Sequence, residues 1–77
     1  MMHSLAIDVD HGCGVLNRVV SIVRRRMLDI DSLVMGRTET PGVSRITVVV
    51  HTDERGVGRL KADLGKVFEV RRIDHLT

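Results

Sequence analysis

Seventy-seven residues make one small domain, 1–77, with no room for a second and a core that is marginal unaided. A single cysteine excludes an internal disulfide, which leaves association with a second copy as the route to added stability. Twelve Lys and Arg against ten Asp and Glu give an ordinary soluble surface of net charge +2, and no apolar run approaches the roughly 20 residues of a membrane span.

Ser4 to Asp10 reads as a strand, with Leu5, Ile7 and Val9 facing one way and Ala6, Asp8 and Asp10 the other. The loop Asp10-His11-Gly12-Cys13-Gly14 follows, its glycines allowing a sharp turn bare of side chains. From Gly14 the period becomes helical, with an apolar stripe of Leu16, Val19, Val20, Val23 and Met27. The start of such a helix presents unpaired N–H groups and partial positive charge, which suit a small carboxylate. Glycines between strand and helix more often only make a turn, so the loop alone is a weak signal. Arg24, Arg25 and Arg26 fall in the last turn, where positive charge favours the helix dipole. Arg24 and Arg25 read as a solvated helix end, with docking on a partner as the lesser reading.

Asp29 to Arg37 and Val43 to His51 are β-rich runs, and the Pro-Gly step of Thr38-Glu39-Thr40-Pro41-Gly42 makes them a hairpin. Asp53 is the expected N-cap of a second helix, with Val57, Leu60, Leu64 and the stem of Lys61 as its buried stripe. Gly56 and Gly58 weaken that helix by roughly 1 kcal/mol each relative to Ala. Gly65 is expected to end it in the left-handed conformation, and Val67 to Ile73 to form the last strand. The order βαββαβ, with right-handed crossovers, predicts an α+β, ferredoxin-like four-stranded antiparallel sheet with both helices on one face. The second strand is long and lacks the Pro or dense Lys that guards an edge, so it is expected to pair with a second copy.

Several segments stand together in register: Gly14-Val15-Leu16-x-Arg18-Val19, Arg24-Arg25, Asp29-Ile30-Asp31-Ser32-Leu33-Val34, Thr38-Glu39-Thr40-Pro41-Gly42-Val43-Ser44-Arg45-Ile46-Thr47, and Leu64-Gly65-Lys66-Val67-Phe68-Glu69-Val70. Over nearly the whole chain they resemble the ACT domain of the acetolactate synthase (acetohydroxyacid synthase) small regulatory subunit, in its short single-domain form. The resemblance implies an ACT fold and a homodimer joined side by side into one eight-stranded sheet. It implies a non-catalytic role in branched-chain amino-acid biosynthesis: activating the large catalytic subunit and transmitting feedback inhibition by an amino acid such as valine. No cofactor is then expected in this chain, and thiamine diphosphate, FAD and magnesium belong to the catalytic partner. The effector contacts carry over to His11, Cys13, Gly14, Val15 and Leu16 of one protomer and to Asp29 and Ile30 of the other.

Two of these depart from the family, which has asparagine where His11 and Asp29 stand. A carboxylate only accepts hydrogen bonds and carries charge. Asp29 can hold the ammonium of an amino acid but repels its carboxylate, a repulsion that a protonated His11 would offset. Alternatively, Asp29 and His11 of facing subunits pair and fill the pocket, leaving an ACT-like dimer that activates a partner without sensing. Both readings stand. Arg26-Met27 replaces a Gly-aromatic pair, so Arg26 is expected either to turn left-handed or to extend the helix. His3, His51 and His75 fall at strand ends and are expected to be solvated, and Ser44 and Arg45 are assigned to sheet pairing or a subunit contact.

A third function is metal binding, since His11 and Cys13 place two soft ligands in the loop that ferredoxin-like metallochaperones use, although no second cysteine follows. RNA-binding sheets of this topology need exposed aromatics, and with no Trp or Tyr and only Phe68 no nucleic-acid partner is expected. The acylphosphatase kind of chemistry lacks its phosphate-binding arginine, and no Ser-His-Asp, paired-carboxylate or Cys-His arrangement has credible spacing. The N-terminus does not read as a secretory signal, so the expected location is the cytoplasm.

Overall fold

Two nine-residue strands with alternating burial, β1 (Met2–Asp10) and β3 (Val43–His51), form the centre of the sheet. They pair antiparallel along their length, from Met2 opposite His51 to Asp10 opposite Val43. In β3 the β-branched run Ile46 to Val50 suits a central, half-buried surface. The remaining elements of this computed structural model, which describes residues 1–77, are α1 (Val15–Arg25), β2 (Asp29–Arg37), α2 (Glu54–Leu64) and β4 (Val70–His75). The sheet order is β2-β3-β1-β4, antiparallel throughout, as the βαββαβ reading requires.

Each outer strand carries one extra residue. Asp31 interrupts the register of β2 against β3, and Arg71 that of β4 against β1. The helix-facing side of the sheet presents Leu5, Ile7, Val9, Ile46, Val48 and Val50, all fully buried. Against them pack Val15, Val19, Ile22 and Val23 of α1 and Val57, Leu60 and Leu64 of α2. The other side is solvent-facing, and Asp8 and Arg45, opposite each other in the register, form an ion pair there with Nε–Oδ1 at 2.7 Å. No helix is long and apolar enough to cross a membrane.

Several local expectations change. The buried stripe of α1 is Val15, Val19, Ile22 and Val23, whereas Val20 is half-buried and Met27 is 89 % exposed. Ile22 lines a cleft with Lys66 and Val67 of the segment after α2. At its end Arg26 stays right-handed and the left-handed residue is Met27, φ 57°. Met27 N–H donates to the Arg24 carbonyl at 2.8 Å and Leu28 N–H to that of Val23 at 3.4 Å, the paired closure of a Schellman motif. The position of the turn is therefore set by which carbonyls remain free. Arg26, released from the turn, donates from Nε to Asp63 of α2 at 2.6 Å.

Gly65 ends α2 in the right-handed region, φ −64°, because the chain goes on turning in the same sense. Lys66, Val67 and Val70 each donate to a carbonyl three residues back, and β4 starts only at Val70. Asp53 caps α2 as expected, accepting from Gly56 N–H at 2.8 Å. His3 is not solvated. It is 3 % exposed, and its Nδ1 lies 2.9 Å from Nε2 of His75, beneath a C-terminal segment tied back by Ser4–Thr77 and Leu76–Ser4 bonds. His75 Nε2 also lies 2.9 Å from the Thr77 oxygen, and the buried Nε2 of His3 has no partner.

Candidate functional site

Gly14 takes φ 87°, a conformation that only glycine adopts without strain, and it turns the chain from β1 into α1. No side chain caps α1 and no acid sits in its first turn, so the first N–H groups face outward unsatisfied. Val15 is buried and anchors the turn, Leu16 is half-buried beside it, and His11, Gly12 and Cys13 are exposed.

His11 is held rather than free. Its backbone N–H donates to the Gly42 carbonyl at 2.8 Å, and its Nδ1 lies 2.9 Å from Oγ of Ser44. Ser44 is 2 % exposed and points to the helix side of the sheet, with Arg37 opposite it on β2. Arg37 forms no ion pair. The cleft bounded by His11, Arg37, Thr38, Pro41 and Ser44 has a volume of about 70 Å³. That is well short of the roughly 300–1,000 Å³ of small-molecule sites, so one chain alone does not enclose a ligand here. His11 and Cys13 gain no third His, Cys, Asp or Glu arranged to hold a metal.

Asp29 and Ile30 lie elsewhere. Asp29 is opposite His51, at the far end of β3 from Ser44. Seven residue steps at about 3.3 Å put the two ends roughly 23 Å apart, most of the way along a molecule 34 Å long. Within one chain the seven expected effector residues therefore form two half-sites at opposite ends of the sheet. Strand β2, which carries the second, is an edge strand and is mostly exposed. Sequence reasoning placed Ser44 in the sheet and passed over Arg37. Their signal was the strand register, which sets Arg37 against Ser44 and brings both to the loop.

A ferredoxin-like sheet with a bare glycine turn before α1 and an open β2 edge is the architecture of an ACT domain. The chain belongs to the family of the AHAS small subunit-like ACT domain, whose model matches residues 5–72. It is 38 % identical over 77 residues to a probable acetolactate synthase small subunit of Archaeoglobus fulgidus, covering all of this chain and 48 % of that protein. With the acetolactate synthase small subunit of Bacillus subtilis the identity is 38 % over 78 residues, covering all of this chain and 45 % of the relative. The crystal structure of the acetolactate synthase small subunit from Thermotoga maritima superposes with a TM-score of 0.93 at 27 % identity, over all of this chain and 48 % of that one. The chain thus spans about half the length of these relatives.

Proposed function

We propose that residues 1–77 act as one ACT domain of a non-catalytic, cytoplasmic regulatory subunit of acetolactate synthase. Two copies pair through β2, and a branched-chain amino acid such as valine binds where one copy's loop meets the other's strand. The placement of Asp29 carries this reading. Antiparallel pairing of two β2 strands about a two-fold centred on Leu33 sets each Asp29 at the Arg37 end of the other copy, beside its His11 loop. The two half-sites then become one.

In that arrangement the first N–H groups of α1 take the effector's carboxylate. Asp29 takes its ammonium, and Leu16 and Ile30 receive its apolar side chain. Effector binding favours one arrangement of the two domains, and the catalytic subunit, which supplies thiamine diphosphate, FAD and magnesium, responds to that arrangement.

Arg37 favours a second reading. The same two-fold faces it with Asp29 of the other copy, and an ion pair there would occupy the ammonium's counter-charge and leave a domain that activates without sensing. Melting the purified chain against millimolar amino acids separates the two. Saturation at 100 times the dissociation constant adds about 2.7 kcal/mol, a shift of roughly ten degrees or more at this size. A selective shift with valine or its relatives supports sensing. Flat curves with retained activation of an acetolactate synthase catalytic subunit support the second reading. Flat curves without activation would sink both.

A further inference from the structure

The two largest clefts of the molecule lie away from the glycine loop, on the helix layer. They share Ile22, Arg25, Lys66 and Val67 and form one groove between α1 and the segment that follows α2, with volumes of about 520 and 580 Å³. Ile22 and Val67 make its apolar floor, and Arg18, Arg25 and Lys66 its rim. Phe68 stands at one wall, 94 % exposed, and it is the only aromatic residue of the chain. Its exposure is not that of a loose tail. Val67 donates to Leu64 and Val70 donates to Val67, each at 3.1 Å, so an ordered turn places Val67 inward and Phe68 outward.

Charge is divided between the layers. Residues 15–26 and 53–66 hold eight of the twelve Lys and Arg but three of the ten acids, a net +5. The remaining residues, with four cations and seven anions, sum to −3. Around the groove Arg18 is paired with Glu69, and Arg26 with Asp63. Arg25 and Lys66 form no close ion pair, although Asp63 on the same groove attracts both. Exposed aromatic and arginine side chains beside an apolar floor are the composition of binding hot spots. Two unpaired cations on a basic layer select against a basic or neutral occupant.

We infer that this groove docks an acidic segment of a protein partner, with a large apolar side chain seated against Phe68, Ile22 and Val67. Arg25 and Lys66, the two cations without an ion pair, both line the groove beside Ile22 and Val67, so acids flanking the seated apolar residue reach them. The groove lies across the helices from the β2 edge, and its test needs neither an effector nor a catalytic subunit.

The test is selection of phage-displayed random dodecapeptides on the immobilised chain, with counter-selection on Arg25→Glu/Phe68→Ser. Both substituted side chains are exposed, and a melting curve of the variant verifies its fold. Enriched peptides should carry spaced acids around an apolar residue and shift the amide resonances of Ile22, Arg25 and Lys66 to Glu69 in the nitrogen-15-labelled chain. Affinity should fall roughly tenfold or more in the double variant and at high salt. Failure to enrich acidic peptides, shifts confined to β2, or equal affinity for the variant would overturn the proposal. So would Phe68-dependent sedimentation with phosphatidylglycerol vesicles in the absence of any selected peptide, which would assign the surface to lipid.

Discussion

Replacing Met27 with glycine should stabilise the chain. Met27 holds φ 57° because α1 closes on the Arg24 and Val23 carbonyls, and a side chain in that conformation costs roughly 1–2 kcal/mol. Glycine removes the strain but loosens the unfolded chain by about 0.4–1 kcal/mol. Little burial is lost, since Met27 is 89 % exposed. The net gain is about 0.5–1 kcal/mol, or about 2–8 °C in Tm for a chain of this size. Melting followed by circular dichroism at fixed protein concentration measures it, because self-association raises Tm by mass action. Met27→Ala keeps the strain and should show no such gain. A glycine variant that melts with the alanine variant, or below it, would refute the argument.

Gly58→Ala should add about 1 kcal/mol, because its Cβ enters open space on a helix, whereas Gly56→Ala should not, because its Cβ would collide with the Thr52 hydroxyl. Urea unfolding of the pair checks this, and equal gains would mean that Thr52 swings away freely. Leu60→Ala, at a fully buried position, should cost about 2–5 kcal/mol against a total of roughly 4–12 for a chain this long. A loss under about 1 kcal/mol in the same titration would show that the core collapses around the gap. Hydrogen bonds from Arg45 and Arg26 hold the Asp8 and Asp63 carboxyls below their ordinary 3.8. The unfolded chain therefore takes up these protons first, so their contribution is complete above about pH 4 and is lost as pH falls through the lower, folded values. Tm should drop in that acid range, and less steeply in Asp8→Asn/Asp63→Asn; an unchanged slope would exonerate both pairs.

The parts of the fold governed by local chemistry were legible in the residues: the alternation of β1, the Pro41-Gly42 hairpin and the Asp53 cap. What escaped depended on partners distant in the chain. Of the two courses open to Arg26 the structure takes the extension of α1, which puts the left-handed turn at Met27, a position the residues did not mark, and Arg26 found Asp63 across the layer. His3 looked like a solvated strand end until the C-terminal segment folded over it. At the site, the glycine loop announced itself, but the contact of His11 with Ser44 and the presence of Arg37 follow only from strand register.

The two free edges of the sheet are not alike. If β2 joins β2 about a two-fold, the sheet ends on both sides in β4, and a β4 as receptive as β2 would let pairs add to pairs into an endless ribbon. Strand β4 has six residues where β2 has nine, and Arg71 breaks its register. A short strand interrupted at Arg71 would then cap such a pair at each end, and lengthening it or restoring its register would be the change that risks fibres.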